Sequence, residues 1–113
     1  ENLVNLNNPR IQLKNKYISN KELSNLFNES KICVLPYMEA SQSGVIPMSY
    51  YFGVPVISSN IGGLSEQVLD GDTGFLFEHS TSPKKVASQI NDFLSSETLQ
   101  KEFSAKSKLY YDK

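Results

Sequence analysis

Residues 36–57 contain the side chains and peptide groups best suited to hold an anion. In this stretch, PYMEASQSGVIPMSYYFGVPVI, a loop leaves an apolar run and reaches Ser43 and Gly44 at the start of a predicted helix. Peptide N–H groups at a helix start lack partners within the helix, and the helix dipole favours negative charge there. Gly44 would let a ligand approach the backbone, and the Ser43 hydroxyl would add a donor. The same pattern fits a helix cap at Ser43 and a packing role for Gly44, so both interpretations stay open.

Short apolar runs and capped amphipathic stretches alternate along the rest of the chain. Predicted strands cover residues 10–13, 32–35, 56–58 and 75–77, the middle two being fully buried. Predicted helices follow the caps Ser19, Ser82 and Ser96 and also cover residues 43–52 and 64–69. This alternation predicts an α/β fold, a Rossmann-like parallel sheet flanked by helices, in which ligands bind beyond the carboxyl ends of the strands. About four strands make a small sheet, which suggests that its first strands are missing.

The apolar positions of the helices predict which faces are buried. The expected core positions are Leu23, Leu26 and Phe27, then Val86, Ile90, Phe93 and Leu94, and finally Leu99, Phe103 and Tyr110. Because the last of these stripes is weak, we expect the final helix to need a packing partner. A dense turn over residues 70–74 leads into the last strand.

Composition and charge restrict the class of protein. With 39% hydrophobic and 20% charged residues, the chain is typical of one small soluble globular domain. The formal net charge is -1 and Lys and Arg form no basic stripe, which argues against nucleic-acid binding. No apolar run approaches the roughly 18 residues of a membrane span, and the first residues do not resemble a signal peptide. Cys33, the single cysteine, lies in an apolar run and predicts a buried, inert thiol in a reducing, cytoplasmic compartment.

Metal and hydrolase chemistry lack the residues they need. His79 stands among polar residues without a Cys or a second His at ligand spacing, which argues against a metal site. The Asp70-Gly71-Asp72 turn is similar to the start of a calcium loop, but Thr81 stands where an EF-hand needs a Glu. No Gly-x-Ser-x-Gly elbow of a serine hydrolase occurs. We therefore expect neither a metal nor a cofactor.

Four motifs, in their order and spacing, resemble those of a known family. Residues 36–57 are similar to the signature region of the retaining GT-B glycosyltransferases of the "glycosyl transferases group 1" family. Residues 16–23 (KYISNKEL), 61–66 (IGGLSE) and 70–76 (DGDTGFL) are similar to the segments that flank that region. The resemblance spans residues 11–107 and implies two facing Rossmann-like domains, of which the C-terminal one binds the nucleotide sugar. We expect residues 1–113 to be part of that C-terminal domain, without the N-terminal acceptor domain.

The resemblance also implies roles for particular residues. It places the donor diphosphate and sugar beside Glu39, Gln42, Ser43 and Gly44, with the backbone amides of Ser43 and Gly44 bearing the diphosphate. It places the nucleotide base beside Tyr17 and Ile18. It places a loop near the donor at Gly62, Gly63 and Glu66. From the residues alone, Tyr17 and Ile18 equally fit core positions at a strand end, and Glu66 fits a carboxylate that favours a helix start.

The chain departs from the family at one pair of positions. The family commonly carries two Glu eight positions apart, one on the donor sugar and one on the ribose, where this chain has Ala40 and Met48. Neither side chain accepts a hydrogen bond, except weakly through sulfur. Glu39 precedes Ala40 and would substitute for it if the loop shifts.

The resemblance implies that the parent protein is an enzyme. We expect it to transfer a sugar from a nucleoside-diphosphate sugar to an acceptor with retained configuration, without an obligatory metal, in the cytoplasm or at the inner face of the membrane. The isolated chain is expected to be inactive, because the acceptor domain and the family's Arg/Lys pair, which neutralises the leaving diphosphate, are missing. Expected partners are the donor and the missing domain, and an open sheet edge would favour dimers as an effect of truncation.

Two other interpretations remain open, namely a non-catalytic nucleotide-binding α/β module and a purely structural or oligomerising domain. Neither the base, the sugar nor the acceptor can be deduced, and capsule, lipopolysaccharide and glycolipid synthesis are all compatible with the resemblance.

Overall fold

Helices and strands alternate along the chain, as the sequence predicts. The computed structural model describes residues 9–14, 16–36 and 43–112. Within these ranges the elements are α1 (Asn20–Glu29), β1 (Cys33–Leu35), α2 (Val45–Tyr51), β2 (Val56–Ser59), α3 (Leu64–Gln67), β3 (Gly74–Phe77), α4 (Pro83–Leu94) and α5 (Glu97–Tyr111).

The strands form a parallel sheet in the order β1-β2-β3. All four residues of the central strand β2 are buried, because it has a neighbour on each side. β1 is an edge strand in the described sheet, and its Val34 is 41% exposed. The prediction that residues 32–35 form a fully buried strand is therefore wrong in its burial, although a strand does form there.

The predicted strand at residues 10–13 does not form. Residues 11–14 have no regular structure, and the side chains of Ile11 and Leu13 are 49% and 53% exposed. A strand gains its stability from backbone pairing and from burial of alternate side chains. This segment pairs with no described strand and buries neither apolar side chain, so the described sheet has three strands rather than about four.

β2 and β3 approach each other very closely at one register position, where Val56 lies opposite Gly74. A Cβ atom added to Gly74 would come within 1.7 Å of the Val56 carbonyl oxygen, so only glycine fits there. The turn before β3 forms as predicted, with Gly71 at a φ of 85°. The Asp70 carboxylate accepts a hydrogen bond of 3.0 Å from the Leu76 amide and so joins this turn to the strand.

The core lies between the sheet and the helices packed on it. Its central cluster consists of Leu35, Ile46, Tyr50, Val56, Leu64 and Val68. Successive residues of a strand point to opposite faces. Accordingly, Leu76 packs against this cluster, whereas Phe75 packs edge-on against Phe93 of α4 and at a tilt against Phe103 of α5.

The predicted helix caps are present at all three positions. The hydroxyls of Ser19, Ser82 and Ser96 each accept a hydrogen bond of 3.2 Å from the amide three residues later. The final helix finds its packing partners in α2 and α4. One predicted core position is wrong, because Leu94 at the end of α4 is 42% exposed.

Two helices are shorter than predicted. α2 covers Val45–Tyr51 instead of residues 43–52, and α3 ends at Gln67 because Val68 adopts an extended conformation. Val68, the first residue after α3, is 1% exposed and packs in the core.

Candidate functional site

The carboxyl ends of the parallel strands lie at one edge of the sheet, called the carboxyl edge here. Ser43 and Gly44 precede α2 at this edge, and the loop after β2 contains residues 60–63. The loops after β2 and β3 are joined, because the Asn60 side chain donates a hydrogen bond of 2.8 Å to the Glu78 carboxylate. In open α/β sheets this edge is where ligands bind.

Ser43 is held by the protein through both its side chain and its backbone. Its hydroxyl accepts a hydrogen bond of 3.2 Å from the Val45 amide, but the N-cap residue of α2 is Gly44 rather than Ser43, the cap position considered from the sequence. Its backbone N–H donates to Gln67 Oε1 and its carbonyl accepts from Gln67 Nε2, both at 3.0 Å. The Ser43 side chain and backbone are largely enclosed, at 6% exposure. The Ser43 amide therefore already has a protein acceptor.

Gly44 stands at the entrance of α2 with a φ of -73° and a ψ of -16°. It is exposed, and a Cβ atom added to it would meet no atom of the described residues within 4 Å. Among the described residues, none accepts a hydrogen bond from the Gly44 amide. A packing role for this glycine is therefore not supported, and the backbone here is open to an approaching group.

The loop after β2 is anchored to the helices behind it. Gly62 adopts a φ of 50°, which glycine allows without steric cost, and Gly63 is the residue before α3. The carbonyl of Gln67 accepts a hydrogen bond of 2.9 Å from the Tyr50 hydroxyl. The carbonyl of Glu66 accepts one of 3.0 Å from the Tyr110 hydroxyl. The Glu66 side chain itself is exposed at this edge.

Gln67 was not predicted from the sequence, although a signal was present. Leu64 and Val68 are buried, and a polar residue three positions after Leu64 shares their face of the short helix. A glutamine on a buried face needs hydrogen-bond partners, and here the partner is the backbone of Ser43.

The predicted base-binding residues precede α1. Tyr17 is 88% exposed, so the alternative of core packing is wrong for it. Ile18 is partly buried. Met48, which stands at one of the family's Glu positions, is 36% exposed on α2. The predicted ligand contacts at Glu39 and Gln42, and the second substituted position at Ala40, lie outside the described residues.

Tyr50 is buried and Cys33 is only partly buried, rather than buried as predicted, and neither group is set up as a nucleophile. Burial raises the pKa of Tyr50 to about 12, although its hydrogen bond with Thr73 opposes this effect. Burial likewise raises the pKa of the Cys33 thiol, against a lowering hydrogen bond with Ser49. Both groups therefore stay protonated near neutral pH and act as packing and hydrogen-bonding groups.

The part of the chain that the structure describes contains no group of three or more His, Cys, Asp or Glu placed to hold a metal ion. None of its helices combines the length and apolar character needed to cross a membrane.

Comparison with known proteins agrees with the motifs. The family described as "Glycosyl transferases group 1" matches residues 6–110. An uncharacterized 41.2 kDa protein in the cps region of Klebsiella pneumoniae is 34% identical over 70 residues, which are 62% of this chain and 20% of that protein. A D-inositol 3-phosphate glycosyltransferase of Streptomyces avermitilis is 30% identical over 76 residues, which are 67% of this chain and 16% of that enzyme. The matched stretch is thus a fifth or less of the length of these relatives.

A solved structure shares the fold. The crystal structure of Anabaena Alr3699/HepE in complex with UDP-glucose matches with a TM-score of 0.73 and 20% sequence identity, over 80% of this chain and 25% of that one. This likeness confirms the predicted Rossmann-like α/β fold of the GT-B type. Since the family match covers nearly all of the sequence, the chain belongs to the glycosyl transferases group 1 family.

Proposed function

We propose that this chain is the donor-binding part of an enzyme that transfers a sugar from a nucleoside-diphosphate sugar to an acceptor, with retained configuration. The observation that carries this proposal is the open backbone at Gly44, on the carboxyl edge and tied through Ser43 to Gln67 of α3. The relative named as a D-inositol 3-phosphate glycosyltransferase and the UDP-glucose bound in the Anabaena structure support the choice of reaction and donor class.

The Gly44 amide is the proposed donor of a hydrogen bond to the diphosphate. With only seven residues, α2 contributes a weak dipole, so a single exposed peptide N–H matters more here than the helix as a whole. The Ser43 hydroxyl, Glu39 and Gln42 are the further groups proposed to contact the donor. Gly62, Gly63 and Glu66 are proposed to lie near the donor on the side of the loop after β2. The nucleotide base is proposed to lie beside Tyr17 and Ile18.

Residues 1–113 are proposed to form part of the C-terminal domain of the enzyme. Sugar transfer needs an acceptor held against the donor and a positive charge near the departing diphosphate. Both are proposed to come from other parts of the parent protein. The chain alone is therefore expected to bind nucleotides but not to turn over a nucleotide sugar.

The proposal is tested by titrating the ¹⁵N-labelled chain with UDP, GDP and ADP while recording amide shifts by NMR. We expect saturable shifts at residues 17–18, 43–44 and 62–66. Gly44→Ala is expected to weaken the affinity for the preferred nucleotide about tenfold, because the added methyl group occupies the space next to the amide. The fold should tolerate it, since the backbone of Gly44 is in the right-handed region.

Lys101→Ala is the matched control for this titration. Lys101 is exposed and lines a groove of about 520 Å³ with Lys31 and Pro55, which precede β1 and β2 at the opposite edge of the sheet. We expect this variant to bind the nucleotide as the wild type does. No saturable shifts with any nucleotide at millimolar concentration, or equal losses in both variants, would contradict the proposed site.

A non-catalytic nucleotide-binding module is the second candidate, and Met48 is the observation that favours it. Met48 lies at the surface of α2, at the position where the family commonly has a Glu that binds the ribose, and its thioether is only a weak hydrogen-bond acceptor. Assaying the complete parent protein for sugar release from nucleotide sugars separates the two functions. Nucleotide binding without any transfer or hydrolysis would favour the module.

A further inference from the structure

The side chain of Gln67 makes a two-point hydrogen bond with the backbone of Ser43. Its carbonyl oxygen accepts from the Ser43 N–H and its amide nitrogen donates to the Ser43 carbonyl, each at 3.0 Å. Only one of the two orientations of the glutamine amide satisfies both contacts, because the other would pair donor with donor and acceptor with acceptor. The contact therefore fixes the side chain and the Ser43 backbone relative to each other.

This contact also fixes the direction of the peptide group that joins Ser43 to Gly44. In a trans peptide, the carbonyl oxygen and the following N–H point in opposite directions, and no cis peptide occurs among the described residues. Since the Ser43 carbonyl points at Gln67, the Gly44 N–H points away from Gln67. If this peptide turned over, it would present the Ser43 carbonyl oxygen where the N–H now stands.

Gln67 is itself held by the helices behind it. Its carbonyl accepts from the Tyr50 hydroxyl at 2.9 Å, and that hydroxyl also lies 2.7 Å from the Thr73 hydroxyl. The neighbouring Glu66 carbonyl accepts from the Tyr110 hydroxyl at 3.0 Å. Tyr50 is 2% exposed and forms part of the core, so the position of α3 is set by packing rather than by the loop.

We propose that Gln67 is a positioning residue for donor binding, which orients the Ser43–Gly44 peptide so that the Gly44 N–H is presented to the diphosphate. This role rests on the function proposed above. An anion is attracted by an N–H and repelled by a carbonyl oxygen, so a fixed peptide orientation favours binding without reorganisation when the ligand arrives. The Ser43 N–H donates its hydrogen bond to Gln67 and therefore does not bind the diphosphate in this proposal.

Gln67→Met tests this role, because methionine keeps the length of the side chain and removes both hydrogen bonds. The matched control is Gln100→Met, since the Gln100 side-chain amide also donates to two backbone carbonyls, of Phe93 and Leu94, at 3.3 and 2.9 Å. UDP is the probe, followed by amide NMR, and the melting temperature of each variant is measured alongside.

We expect Gln67→Met to weaken UDP affinity about tenfold and to reduce the UDP-induced shift of the Gly44 amide, while the Ser43 amide exchanges with solvent faster. Gln100→Met is expected to lower the melting temperature and leave UDP affinity unchanged. Gln67→Glu is the second variant. It keeps an acceptor for the Ser43 N–H but loses the donor to the carbonyl, and its charge repels a diphosphate, so it too is expected to bind UDP weakly.

Two results would overturn the role of Gln67. One is a Gln67 variant that binds UDP as tightly as the wild type does. This result would rule out the positioning role and leave the proposed nucleotide site intact. The other is an equal loss of affinity in Gln100→Met, which would attribute the effect to general destabilisation. A wild-type chain that binds none of UDP, GDP and ADP would instead overturn the proposed function itself, and the positioning role with it.

Discussion

β1 (Cys33–Leu35) is the more apolar of two neighbouring strands in sequence, yet β2 (Val56–Ser59), half of which is serine, is the more deeply buried. Val56 and Ile57 of β2 are fully buried, whereas Val34 of β1 is 41% exposed. β2 pairs with a strand on each side, but the described part of the sheet leaves one side of β1 open. The difference shows that the strands on either side, rather than residue type, decide how deeply a strand is buried.

The largest effect is expected where β2 meets β3. Gly74→Ala would force a methyl group against the Val56 backbone, and we expect it to cost more than about 3 kcal/mol or to prevent folding. Gly44→Ala, at a glycine with open space around it, is the matched control and is expected to leave the free energy of unfolding nearly unchanged. Urea unfolding of the two variants measures the contrast. Similar stability of both would contradict the close approach of the strands.

The second prediction compares β1 and β2 directly, and the expected loss of stability is smaller. Val56→Ala leaves a cavity in the core and is expected to lower the free energy of unfolding by about 2 to 3 kcal/mol. Val34→Ala removes a side chain that is 41% exposed and is expected to cost less than about 1 kcal/mol. Chemical denaturation of both variants provides the measurement. A large loss for Val34→Ala would mean that β1 is covered in solution, as in a dimer formed through the open edge.

The smallest effect concerns the buried hydroxyl of Tyr50. Tyr50→Phe removes the hydrogen bonds to the Gln67 carbonyl and to Thr73 and is expected to cost about 1.5 kcal/mol near neutral pH. The pKa of Tyr50 is raised from 10.0 to about 12, so between these values the unfolded chain loses the proton that the folded chain keeps. The stabilisation is therefore complete below pH 10 and falls as the pH rises towards 12.

We expect the difference in free energy of unfolding between wild type and Tyr50→Phe to shrink across this pH window. The control is Tyr111→Phe, at a residue 46% exposed, for which little change is expected at any pH. A difference that stays constant up to pH 12 would show that the Tyr50 pKa is not raised.

Helices were predictable because their signals are local. The hydroxyls of Ser19, Ser82 and Ser96 bind amides only three residues away, and the sequence marks all three. The strand predicted at residues 10–13 failed because a strand depends on a partner that the local pattern does not reveal. The same reason explains why β1 was expected to be more buried than it is.

The site was predictable in outline only. The sequence places Ser43 and Gly44 at the start of a helix and Gly62 and Gly63 in a turn, and the structure brings both pairs to the carboxyl edge. The partner of Ser43 was missed, because Gln67 lies 24 residues further along the chain and no motif links the two. The exposure of Tyr17 was also left undecided, since an aromatic residue before a helix fits either the core or a ligand surface.

Tyr110 has a practical consequence for anyone shortening this protein. The motif resemblance read from the sequence ends at residue 107, although the family match extends to residue 110, so a boundary chosen from the motifs would cut away the last turn of α5. That turn supplies the hydroxyl bound to the Glu66 carbonyl and the ring packed edge-on against Tyr50. A chain that ends there would keep every recognisable motif and still lose the contacts by which α5 holds Glu66 of α3 and the ring of Tyr50.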